Sequence, residues 1–149
     1  MKNLWDHKTA SRLEKTPLKL RVYSSQLLGL DSDLVLHGGG NTSVKLREIN
    51  IFGEEEEILY VKGSGRNLAT IDAKGFTPLR LKHMQKLAGL AHIDDKMLVN
   101  EQQLAMTNPE APRPSVEALL HAIIPFCWID HTHADAVVTL TNTPNGEKL

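Results

Sequence analysis

The chain has 149 residues, 41% hydrophobic and 23% charged, which is enough apolar material for one globular domain with its own core. A formal net charge of −1 gives no electrostatic basis for holding nucleic acid or an anionic membrane, and no apolar run is long enough for a signal peptide or a bilayer span. The single cysteine, Cys127, excludes an internal disulfide and fits a reducing, cytoplasmic setting; between Phe126 and Trp128 it is expected to be a buried, inert thiol.

Residues 1–16 read as a polar N-terminal extension with Leu4 and Trp5 as anchors, and 17–149 as the domain. Pro17 suits a first helical turn, and Leu18, Val22, Leu27 and Leu28 follow it, which predicts a helix over 17–29. Three glycines, Gly38 to Gly40, then stop any helix. Behind them Thr42, Val44 and Leu46 alternate with Ser43 and Lys45 as in a strand. Residues 53–57 (GEEEE) read as a solvated turn. Ile58 to Lys62 reads as a second strand that runs into Gly63-Ser64-Gly65-Arg66. Glycine turns of this kind are either plain reversals or nests whose N–H groups hold an anion, and two in one short domain keep both readings open.

The spacing of Leu79, Leu81, Met84, Leu87 and Leu90 behind Pro78 predicts a helix over 78–90, with His83 and His92 on its polar surroundings. A short helix is expected over 100–106 and a proline-rich loop over 108–114. Residues 115–124 predict a further helix whose core stripe is Val116, Leu119, Leu120 and Ile123, with Glu117 and His121 on the neighbouring stripe. Pro125 ends it. A strand then carries His131 and His133, and Val137, Val138 and Leu140 suggest a last helix before the Asn145-Gly146 turn.

In a strand, residues two apart point to the same side, so His131 and His133 would project together. Such a pair either binds a divalent metal or decorates a solvated strand face. Glu117 is either a metal ligand or general base, or a carboxylate placed favourably near a helix N-terminus. A catalytic zinc usually has three protein ligands, so the pattern predicts that the domain continues past residue 149.

The segments HGGGNTSVK (37–45), VKGSG (61–65), RPSVEALLHA (113–122) and DHTHADAV (130–137) together resemble the class II aldolase/adducin family, in its order and over most of residues 18–142. The tail LTNTPNGE (140–147) looks most like the aldolase part of bifunctional rhamnulose-phosphate aldolase/alcohol dehydrogenase proteins. The resemblance implies a three-layer α/β/α fold with a mostly antiparallel sheet. It implies Zn2+ on His131 and His133, with Glu117 as a resting ligand that becomes the proton shuttle and a third histidine beyond residue 149. Gly40, Asn41, Ser64, Gly65 and Ser115 match positions around a substrate phosphate. The implied activity is cleavage of a ketose 1-phosphate, such as rhamnulose 1-phosphate, to dihydroxyacetone phosphate and an aldehyde. A sugar-phosphate epimerase, a dehydratase and a non-catalytic adducin-like binding domain are the alternatives. Implied partners are the phosphorylated sugar, further copies in a homo-oligomer and a C-terminal short-chain dehydrogenase module.

Overall fold

Two strands, Asn41–Ile49 (β1) and Glu55–Lys62 (β2), pair antiparallel and form the centre of the sheet. The computed structural model describes residues 3–148. Phe76–Arg80 (β3) adds to the outer side of β2, and Trp128–His131 (β4) adds antiparallel to β1, giving the order β3-β2-β1-β4. Six helices accompany the sheet among the described residues: His7–Leu13 (α1), Pro17–Gly29 (α2), Leu81–Ala88 (α3), Asp95–Ala105 (α4), Ala118–Ile123 (α5) and Asp135–Thr141 (α6).

Alternation along β1 sorts these into layers. Thr42 Oγ1 lies 2.7 Å from Ser25 Oγ on α2, so the even residues face α2. Ser43 Oγ lies 2.8 Å from His121 Nδ1 on α5, so the odd ones face α5. On the α5 side Leu59, Val61 and Leu79 pack against Leu81, Met84, Leu87, Ala105, Ala118 and Ala122 in one core. The result is an α/β/α arrangement on an antiparallel sheet, as expected. No helix is long and apolar enough to cross a membrane among the described residues.

Several local expectations need correction. The 78–90 segment splits. Pro78 pairs with Tyr60 in β3, and the helix begins only at Leu81. Proline lacks an N–H but is tolerated in an edge strand, and β3 is one. The acidic run is not a turn: Glu55 to Glu57 lie in β2, opposite Ile49, Glu48 and Arg47. Cations offset it, with Arg47 3.6 Å from Glu55 and Arg80 3.1 Å from Glu56. The helix expected over 100–106 starts earlier, at Asp95, because the Asp94 side chain caps the Met97 N–H at 2.8 Å.

The helix expected over 115–124 is the shorter α5, and its buried face is rotated. Ala118, His121 and Ala122 are buried, whereas Val116, Leu120 and Ile123 are exposed. Small side chains there let the helix lie close to the sheet. Cys127 is exposed, not buried, and its thiol donates to the Lys45 carbonyl at 3.0 Å. Within 1–16, α1 is capped by Asp6 and packs on α2, with Trp5 and Tyr23 rings 5.4 Å apart.

Candidate metal centre

The end of β4, the entry to α5 and the start of β1 meet at one end of the sheet's strands. Asn41 begins β1 directly opposite His131, the last residue of β4. Glu117 sits at the N-cap position of α5, where it continues the loop from Ser115. The strand ends at His131, so His133 belongs to the segment beyond it; its N–H donates to the Leu34 carbonyl at 2.9 Å. The two rings remain neighbours, with centroids 4.8 Å apart.

The three side chains converge. Glu117 Oε1 is 3.4 Å from His131 Nδ1 and 3.9 Å from His133 Nε2. One ligand atom from each of Glu117, His131 and His133 falls within 4.8 Å of the other two. The other carboxylate oxygen, Oε2, accepts from Asn41 Nδ2 at 2.9 Å and from Ser115 Oγ at 3.3 Å. Burial alone would raise the Glu117 carboxyl. The Asn41 amide, the His131 ring, the Ser115 hydroxyl and the His133 ring outweigh it and hold the group below the ordinary glutamate value. The carboxylate is therefore charged at neutral pH and aimed at two imidazoles.

Whether this set suits a metal can be judged from its unpaired atoms. Three buried side-chain atoms have no hydrogen-bond partner among the described residues: Asn41 Oδ1, His121 Nε2 and His131 Nδ1. The first belongs to a residue bonded to Glu117, and the last lies within the triad itself. Buried polar atoms seldom stay unpaired, so this corner is short of a polar species. Two imidazole nitrogens and a carboxylate oxygen match the donor set of a borderline divalent cation such as zinc. Two donors on one tetrahedral zinc lie about 3.4 Å apart, so separations of up to 4.8 Å would have to close by as much as about 1.4 Å. That is a rotamer adjustment for partly exposed side chains, and the residues fit the ion.

The two glycine turns lie alongside. A Cβ on Gly38 would come 3.7 Å from the Gly65 carbonyl, so the turns are in contact distance of each other. Gly40 has φ +68, and a Cβ there would meet Val35 Cγ1 at 2.4 Å and the His131 carbonyl at 3.0 Å. No other residue fits that position. Gly65 also has a positive φ, 71, and its N–H and that of Gly40 carry no hydrogen bond among the described residues. Ser64 differs: its N–H already donates to the Arg113 carbonyl at 2.9 Å, which leaves only its exposed hydroxyl for a ligand.

Three further residues shape the site and were not singled out from the sequence. Lys62, 3% exposed, donates from Nζ to the Gly38 and Arg66 carbonyls at 2.9 Å each and so ties the two turns together. Burial lowers its ammonium pKa, and Glu117 works against that shift. His121 lies under the triad, with its ring centroid 6.3 Å from that of His131, and burial depresses its pKa from 6.5 to about 4. It is a neutral imidazole held by Ser43. Arg21 anchors β4 from the other face. The signal for Lys62 was present in VKGSG, as a charge at the buried end of a strand. His121 carried only its helical spacing from Glu117.

The family model described as "Class II Aldolase and Adducin N-terminal domain" matches residues 21–149. A Bacillus subtilis (strain 168) protein described as "Uncharacterized oxidoreductase YuxG" is 39% identical over 149 residues, all of this chain and 22% of that protein. A solved structure described as the N-terminal class II aldolase domain of a conserved protein from Thermoplasma acidophilum is 42% identical. It superposes with a TM-score of 0.87 over 97% of this chain and 65% of that one. The chain thus spans about a fifth of the curated relative and just under two thirds of the solved chain.

Proposed function

The chain belongs to the class II aldolase and adducin family, and from that premise we propose that it is the metal-binding part of an aldolase acting on a ketose 1-phosphate such as rhamnulose 1-phosphate. The products would be dihydroxyacetone phosphate and an aldehyde. The observation that carries this reading is the convergence of Glu117, His131 and His133 beside two contiguous glycine turns.

Glu117, His131 and His133 would hold a divalent cation, zinc by donor type, and that ion would supply Lewis acidity toward a substrate oxygen. Glu117 then has a second task. With Oε2 steadied by Asn41 and Ser115, its carboxylate is oriented to take or give a proton at the carbon where negative charge develops. The free N–H groups of Gly40 and Gly65 would receive the phosphate, with the Ser64 and Ser115 hydroxyls and Asn41 beside them. Binding the phosphate remotely from the bond that breaks turns affinity into orientation. Lys62 does not suit Schiff-base chemistry. Its nitrogen donates to two carbonyls, and both bonds would be lost if it were the nucleophile.

The oxidoreductase name of the longer Bacillus subtilis relative supports a further element of the proposal: a dehydrogenase module beside this one, acting on the aldehyde in the same cytoplasmic polypeptide. Several copies would assemble around such sites. The test is Glu117→Gln in the protein that carries this chain. Retro-aldol turnover, followed as aldehyde release, should fall by about 10²–10⁴-fold while the folded protein persists. Turnover within twofold of the unaltered protein would refute the role.

A further inference from the structure

Arg21 is a charge buried where an apolar side chain would serve the packing. It is 1% exposed, on the α2 side of the sheet. Its Nη2 donates to Asp130 Oδ1 at 2.5 Å, its Nη1 to the carbonyls of Ser43 at 3.3 Å and Ile129 at 3.4 Å, and its Nε to Ser25 Oγ at 3.2 Å. The guanidinium carbon also stands 5.6 Å from the centre of the Trp128 ring. Apart from Ser25, every partner belongs to β1 or β4.

The register gives this cluster its meaning. Ser43 and Ile129 are cross-strand neighbours, and the same ladder next brings Asn41 opposite His131. Asp130 is the residue before His131. Strand β4 has four residues and lies at the sheet edge, paired among the described residues with β1 alone. So short an edge strand is weakly held by its ladder alone. Burying a guanidinium is costly, and well-packed apolar residues often stabilise a fold as much or more. A planar fork does one thing that apolar contact cannot: it fixes several acceptors at set distances in one plane. Here the acceptors are one carbonyl from each strand and the carboxylate next to His131.

We infer that Arg21 is a positioning residue for the candidate metal centre, setting from the far face of the sheet where β4, and with it His131, stands relative to Asn41 and Glu117. This rests on the reading of Glu117, His131 and His133 as a cation site. Arg21 touches neither ion nor substrate, and its effect passes through the backbone of β4.

The test is titration with cobalt(II), read by visible absorption, at a temperature where circular dichroism shows each protein folded. The proteins are the unaltered chain, Arg21→Lys, Asp130→Asn and Leu87→Ala. Arg21→Lys keeps the charge but loses the fork, and Asp130→Asn weakens the bond to β4 at a half-exposed residue. Both should bind cobalt about tenfold more weakly, with an altered absorption band. Leu87→Ala empties part of the core on the α5 side of the sheet, the face opposite the clamp. It should lower the melting temperature and leave affinity and band unchanged. If Arg21→Lys does not fold, Asp130→Asn decides. Unchanged cobalt binding in the clamp variants, or an equal loss in Leu87→Ala, overturns the inference alone. An unaltered chain that takes up no cobalt removes the cation-site reading, and the inference with it.

Discussion

At the scale of single residues, the candidate centre depends on what surrounds Glu117 more than on Glu117 itself. Spacing and residue type made His131, His133 and Glu117 legible in the sequence, because chemistry-bearing residues in motifs stand out one at a time. Arg21 was not legible, Lys62 showed only as a charge at a strand end, and His121 only as a residue four beyond Glu117. Each is a polar residue whose role comes from burial against chain distant in sequence. His121 yields a prediction with a definite sign. Its pKa is about 4 in the fold against 6.5 for the free side chain. As pH falls, the unfolded chain therefore takes the proton first, and stability is lost from pH 6.5 downward until the fold also protonates near 4. The loss over that window is about 3 kcal/mol. His121→Gln, compared with the native protein by urea denaturation at several pH values, should flatten that part of the slope. Parallel slopes would show that His121 titrates freely. Gly40→Ala should cost more than about 2 kcal/mol in the same measurement, since it adds left-handed strain to a clash with Val35. A cost under about 0.5 kcal/mol would mean that the turn adjusts easily.

At the scale of elements, sequence patterns served best where local rules and tertiary packing agreed. Helix α2 has the bounds 17–29 expected behind Pro17, and β1 and β2 contain the two runs read as strands. Even so, the buried face of α2 carries Arg21 and Ser25, not its leucines. The pattern failed where a proline had two structural uses, as with Pro78, or where a helix buried small residues in place of large ones. Helix α5 is the clear case. Ala118 and Ala122 pack inward because the sheet lies close, and Leu120 and Ile123 are left outside. Leu120→Ser should therefore change unfolding free energy by less than about 1 kcal/mol. Ala122→Leu should cost about 1–3 kcal/mol by overpacking the core. The reverse order in thermal denaturation would restore the stripe expected from the sequence.

At the scale of the whole molecule, what periodicity could not supply was the pairing of β4 with β1. That pairing joins His131 to Asn41 across most of the chain, and nothing local encodes it. The four motifs reached the fold class through family resemblance. The topology explains why those motifs lie far apart in sequence: three loops meet at one end of the strands, where β1 starts, β4 ends and α5 begins. The far face holds the Arg21 clamp and the near face holds the triad. The central claim is that Glu117, His131 and His133 hold one divalent ion. Anomalous diffraction at the zinc edge, from crystals of the chain grown with zinc, tests it most directly. An anomalous peak bonded to Glu117, His131 and His133 at about 2.0–2.2 Å is expected. A zinc-loaded crystal with no peak among these three side chains, or with its peak elsewhere, as at the His83–Glu101 pair, would contradict it.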